Sequence, residues 1–218
     1  LGIEVMSPRA LDLFAAAGAA VDRDTGTVRL DRGLVTEQVA KAPSRFTLSP
    51  ANPARAIEIG GRALVFGLVA GPPNVSDAER GRRAATMDDY RDFIRLAQYF
   101  NIIHLIGNQV VAPMALPAES RHLDTYFANL TLSELAFHVS AIGRARAVDG
   151  IEMMAIARGE TAEGMAERPG VVAPISVNSP RRFDGEMAEG LIAASERGQA
   201  LLVTPFTLMG AMTPVTLP

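Results

Sequence analysis

From residue 63 onward, short apolar runs alternate with segments whose apolar residues recur every three or four positions. The runs are Leu64–Val69, Ile102–Ile106, Ala136–Ile142, Val171–Val177 and Leu201–Phe206. Between them the spacing predicts helices. Thr86 caps the first, with Asp88 and Asp89 at its positive end and Tyr90, Phe93, Ile94 and Ala97 inward. Pro117 and Glu119 start the second, with Leu123, Tyr126, Phe127 and Leu130 on one face. The third covers Arg146–Arg158, with Val148, Ile151 and Ala155 inward. The fourth is capped by Asp184, carries Met187, Leu191 and Ala194, and stops at Gly198. Nearly continuous apolar strands separated by helices imply a parallel sheet covered on both faces.

Two architectures satisfy that pattern. A doubly wound sheet is complete at five strands, whereas a TIM barrel needs eight. The doubly wound fold usually offers a glycine-rich phosphate loop after its first strand. Here that loop is Gly71-Pro72-Pro73-Asn74-Val75-Ser76-Asp77, and its two prolines lack the amides a phosphate needs.

The first 62 residues have a different texture. Ser7-Pro8-Arg9 opens a short helix ending near Gly18. Thr27–Leu30 alternates as a strand, Leu34–Ala42 reads as a helix, and Phe46–Leu48 and Ala56–Ile59 read as strands. Gly60-Gly61 is expected to turn the last of these into a hairpin with Arg62–Phe66.

Composition removes several function classes. Apolar residues make up 48% and the net charge is −3, which gives no electrostatic reason for nucleic acid or an anionic membrane as a partner. The absence of cysteine excludes disulfides, thiolate zinc and a Cys nucleophile within these 218 residues. It is compatible with a cytoplasmic location. No apolar run reaches the roughly 18 residues of a membrane span. The three histidines, His104, His122 and His138, share no metal-ligand spacing. His104 and His138 read as core residues within strands, and His122 as a surface residue.

In either architecture ligands meet the C-terminal ends of the strands. The binding candidates there are Asp77, Asn108, Asn178, Thr204, Phe206 and Thr213. These loops are polar and nearly uncharged, so they can hydrogen-bond a substrate without gripping an anion. Arg80, Arg82 and Arg83 are read as a solvated or interface cluster before an anion clamp. No G-x-S-x-G nucleophile and no P-loop are present.

Four segments carry a family resemblance, in order. They are Ala17-Gly18-Ala19-Ala20-Val21-Asp22, then Val75-Ser76-Asp77 with Gly81-Arg82-Arg83-Ala84-Ala85-Thr86-Met87-Asp88-Asp89-Tyr90, then Asn178-Ser179-Pro180, and finally Gly210-Ala211-Met212-Thr213-Pro214-Val215-Thr216-Leu217. Together they resemble the trimethylamine methyltransferase superfamily, whose members are corrinoid-dependent and act on methylated amines, some on glycine betaine. The resemblance implies a partial TIM (β/α)8 barrel with about five strands present, residues 63–218, behind an N-terminal α+β extension, residues 1–62.

It further implies methyl transfer from a tertiary or quaternary amine to the Co(I) of a separate corrinoid protein, with no cofactor bound directly. The chain is expected to be an internal piece of a longer enzyme, inactive alone, that forms homo-oligomers or associates through open barrel edges. A quaternary ammonium favours aromatic faces. With no Trp, and Tyr90, Tyr99 and Tyr126 on helices, Phe206 is the cage candidate. The alternatives are another TIM-barrel lyase or aldolase, and a non-catalytic subunit that binds a corrinoid protein.

Overall fold

A computed structural model of the chain describes residues 2–178, 181–204 and 215. The N-terminal elements are β1 (Ile3–Val5), α1 (Pro8–Ala16), β2 (Ala20–Asp22), β3 (Thr27–Arg29), α2 (Arg32–Ala40), β4 (Arg45–Leu48) and β5 (Ile57–Gly60). There follow β6 (Asn74–Asp77), β7 (Gly81–Ala84), α3 (Met87–Tyr99), β8 (Leu105–Ile106), α4 (Arg121–Leu132), β9 (Ala136–His138) and α5 (Arg144–Arg158). The remainder is α6 (Ala162–Glu167), β10 (Val171–Ser176), β11 (Arg182–Phe183), α7 (Gly185–Glu196) and β12 (Ala200–Thr204).

The helix starts follow from their caps. The Ser7 hydroxyl accepts from the Ala10 N–H, and the Asp184 carboxylate accepts from the Met187 N–H at 2.8 Å. Thr86 and Asp89 form a reciprocal capping box at α3. Gly198, at φ +65°, ends the turn after α7.

The central sheet has the order β12-β10-β9-β8, and every pair is parallel. An isolated parallel bridge from Gly67 adds to the free side of β8. These neighbours follow chain order without the reversal that defines a doubly wound sheet. The described residues make a mixed α/β fold around four parallel strands and do not form a closed barrel.

Two expectations are corrected here. Leu64–Val69 is not a strand, since only Gly67 bridges β8, and Leu64 and Val69 are 73% and 81% exposed. Its partner β8 is only two residues long, and the prolines that follow the run cannot donate to a ladder. The hairpin predicted across Gly60-Gly61 forms on the other side: β5 pairs back onto β4, with Phe46 opposite Ile59 and Leu48 opposite Ile57. Gly60 and Gly61 both have positive φ, so they turn the chain away from the sheet.

Six elements escape the sequence reading: β1, β2, β6, β7, α6 and β11. β1 lies between β3, antiparallel, and β11, parallel. This ties the start of the chain to α7, through Val5, Leu11 and Val28 against Ala188 and Ile192. β6 and β7 form a polar hairpin where a loop is expected.

The sheet's two faces divide cleanly by residue parity. Ile106, Phe137, Val139, Val171, Ala173 and Ile175 pack with Tyr90 and Ile94 of α3, Tyr126 of α4 and Ile151 and Met154 of α5. The alternate positions Leu105, Ala136, Val172 and Ala200, one from each strand, cluster instead with Leu48 and with Phe46, Ile57 and Ile59 of the β4–β5 hairpin. All four lie at or near the N-terminal starts of their strands, so the hairpin closes that end of the sheet. Arg158 Nη1 donates to the Ser49 carbonyl, and the Ser49 N–H to the Pro169 carbonyl, which holds the hairpin in place.

Candidate active site

With one end plugged, the helix-free face runs upward from an apolar floor. Its successive inward positions are Ala136 and His138 on β9, Val172, Pro174 and Ser176 on β10, and Ala200, Leu202 and Thr204 on β12. The face therefore changes from aliphatic at the floor to hydrogen-bonding at the C-terminal rim. Pro174 fits because pairing with β9 is confined to Val171 and Val172, so its missing N–H breaks no ladder bond.

Ser176 and Thr204 are directly opposite, with their hydroxyls 3.1 Å apart, and Thr204 Oγ1 also donates to the Ile175 carbonyl. Asn178 lies two residues past the end of β10, and its backbone exchanges two hydrogen bonds with Arg182. Thr204, Ser176 and Asn178 are thus brought together at one rim. Asn108 stands further along the rim, after β8. Its Oδ1 is buried without a hydrogen-bond partner among the described residues. Beside it Gln109 adopts φ +49°, a left-handed conformation rare for a residue with a side chain. Gly107 is required there because a β-carbon would collide with the Leu68 carbonyl oxygen.

Asp77 sits at the tip of the β6–β7 hairpin. It accepts from the Arg80 N–H at 2.7 Å and pairs with Arg80 and Arg83. The Arg80 amide bond is the leading reason its carboxyl lies below the usual carboxylate range. Arg83 also forks onto Asp89, the capping-box residue of α3. The hydrogen bond from Arg83 holds Asp89 well below its ordinary value. The cluster fastens the hairpin to α3, and two of its three arginines are engaged internally. Phe206 and Thr213 lie outside the described residues.

His138, read from the sequence as a core residue within a strand, does lie on β9, where it shares the inward face with Ala136. Burial alone pushes its imidazole down to about 4, so it is neutral at physiological pH. The signal was its parity: Ala136 and His138 share a face, while Phe137 and Val139 share the other. His122, expected at the surface, is instead buried at 5% exposure, with Nε2 2.7 Å from the Asp149 carboxylate. It faces α5 because the inward side of α4 is made of His122, Thr125, Tyr126, Ala128 and Asn129, not of Leu123 and Phe127.

A cleft of about 520 Å³ opens elsewhere, lined by Met6, Ser7, Ile142, Asp184, Glu186 and Glu189. Two of its carboxylates are committed, Asp184 to its cap and Glu189 to the Ser7 hydroxyl at 2.8 Å. Lys41, the sole lysine, ion-pairs with Glu37 on the exposed surface of α2, away from any strand end where a Schiff base would form. Among the described residues, no group of three or more His, Asp and Glu is placed to hold a metal ion, and no helix is long and apolar enough to cross a membrane.

A parallel sheet with an apolar floor and a neutral, hydrogen-bonding rim at its C-terminal end has the layout in which α/β proteins seat their ligands. The particular family follows from comparison. The family model described as trimethylamine methyltransferase (MTTB) matches residues 1–218, and the chain belongs to that family. It is 32% identical over 217 residues to a glycine betaine methyltransferase of Desulfitobacterium hafniense (strain Y51), covering 100% of this chain and 45% of that protein. It is 23% identical over 218 residues to the trimethylamine methyltransferase MttB of Desulfitobacterium hafniense (strain DSM 10664 / DCB-2), covering 99% and 43%. The chain therefore spans less than half the length of these curated relatives.

Proposed function

We propose that these residues form the first part of a (β/α)8 barrel methyltransferase that demethylates a betaine-type amine in the cytoplasm. The observation that carries this reading is the neutral hydrogen-bonding rim over an apolar floor, in a chain of this family. The chain-order parallel strands, plugged at one end, support the barrel. In this reading residues 1–62 are an extension that serves as the plug and residues 63–218 are barrel.

A quaternary ammonium is repelled by nearby positive charge. The inward positions of β9, β10 and β12 carry none: the hydroxyls of Ser176 and Thr204 are neutral, and His138 stays unprotonated above pH about 4. The aliphatic floor can accommodate the N-methyl groups while the rim orients the polar end. The breaking C–N bond leaves its electron pair on nitrogen, giving the demethylated amine. A corrinoid carried by a partner protein supplies the two-electron cobalt nucleophile that accepts the methyl group. The rim fits the methyl donor, and this chain is asked to supply no cobalt ligand.

Residues 1–218 alone are expected to give no turnover, because a barrel-mouth site draws on strands around the whole barrel. Alone they are expected to associate through β12, where Leu201, Leu202 and Val203 are exposed. The test uses the full-length protein with reduced cobalamin and either glycine betaine or trimethylamine, followed by the absorbance of methylcobalamin. Methylation from glycine betaine is expected. No methylation from either amine overturns the proposal.

A further inference from the structure

His138 is the titratable side chain among the described inward positions of β8, β9, β10 and β12. Its place is built from three sides. Val172, its direct partner on β10, belongs to the plugged floor. On β8 the last registered pair is Ile106 with Phe137, so the next residue, Gly107, stands beside His138 and contributes no side chain. Below it on the same strand is Ala136, which is fully buried. A small floor residue, a glycine and a β-branched aliphatic leave the imidazole as the one polar group in its layer.

Among the described residues the ring makes no hydrogen bond or ion pair. His122 is engaged by Asp149, and His104 Nδ1 accepts from the Phe66 N–H. For His138, burial is the sole cause of its depressed value, with no neighbouring charge or hydrogen bond contributing. The half-buried inward position leaves the ring open to hydrogen-bond a ligand seated over the floor.

We propose that His138 is a substrate-contacting residue whose ring N–H donates a hydrogen bond to the carboxylate of a betaine-type substrate seated over the Ala136–Val172 floor. This rests on the betaine reading of the site given above. A neutral donor suits a zwitterion: it binds the carboxylate without adding a cation beside the ammonium group. It also sets specificity, because an amine without a carboxylate makes no use of it.

The experiment is calorimetric binding to the full-length protein, which is independent of methyl transfer. Glycine betaine and tetramethylammonium are titrated into the wild type, His138→Leu and His138→Gln, with thermal unfolding confirming that each variant is folded. His138→Leu is expected to weaken glycine betaine by roughly tenfold or more, the loss of one hydrogen bond to a charged group. Tetramethylammonium is expected to change by less than about threefold, and His138→Gln, which keeps a neutral donor, to recover most of the loss. Equal loss for both ligands, no loss in a folded His138→Leu, or no betaine binding by the wild type overturns the proposal. Should the wild type bind betaine in a His138-dependent way yet transfer no methyl group, the assigned reaction fails and the contact stands.

Discussion

The hydroxyl of Tyr126, on α4, accepts a hydrogen bond from the backbone N–H of Ser140, two residues beyond His138. Both partners are buried, and the Tyr126 ring also packs on Phe137 and His122. The chain leaving β9 is thus pinned from the helix side while His138 faces the other. Tyr126→Phe keeps the ring but strands the Ser140 amide. It is expected to cost about 1–3 kcal/mol of stability, read by denaturant unfolding. An unchanged midpoint would show that water replaces the hydroxyl.

Gly190 sets how closely α7 approaches the same region. A β-carbon there would run into the Ala141 carbonyl oxygen and the backbone around it, none of which is a flexible side-chain end. Gly190→Ala is expected to destabilise by about 1–3 kcal/mol, despite the better helix propensity of alanine. A gain in melting temperature would place α7 farther from β9 than described.

Asp89 links stability to acid. Its folded value lies below the ordinary 3.8, mainly because Arg83 hydrogen-bonds the charged form. The unfolded chain then takes up the proton first as pH falls. The contribution is complete well above 3.8 and is lost progressively below it. Asp89→Asn should therefore melt below the wild type at pH 7, with the gap narrowing as pH drops under 4. A gap of constant size from pH 3 to 7 would assign the effect to the capping box alone.

His138 has the opposite charge type and a value also lowered, to about 4 from 6.5. Between those values the unfolded chain binds more protons than the folded one, so stability rises with pH across the window and is lost on acidification. His138→Gln removes that slope. Denaturation midpoints from pH 4 to 7 should be flatter in the variant, and parallel profiles would mean that the ring is freely solvated.

How much of this was legible beforehand differs by element. Helix α3 could be read from Thr86, Asp88 and Asp89 because capping is local chemistry, and Asp184 announced α7 for the same reason. The parallel strands β9 and β10 could be read because burial leaves an apolar run, and β12 because its run is apolar although Leu201, Leu202 and Val203 stand exposed. The polar hairpin at Asn74–Ala84 could not, since it is held by the Asp77–Arg83–Asp89 cluster and not by an alternating apolar face. Leu64–Val69 misled in the other direction: an apolar run is necessary for a buried strand, but its place depends on a neighbour with edge to offer. For the site, polar residues at strand ends directed attention to Asn108, Asn178 and Thr204, while His138 read only as a core residue of its strand. Its role depends on which way a strand residue points, and that phase is fixed only when the helix-side partners of Phe137 and Val139 are known.

The plug at the base of the sheet bears on how the chain acquires its shape during synthesis. Leu48 and its hairpin leave the ribosome well before Val172 and Ala200, which they cover and which belong to the last of the described parallel strands. Such a contact spans most of the sequence, and long-range closure of this kind slows folding. Until β12 is made, an apolar hairpin waits uncovered. The nascent protein is exposed to misassembly for longest at the very segment that later seals its floor.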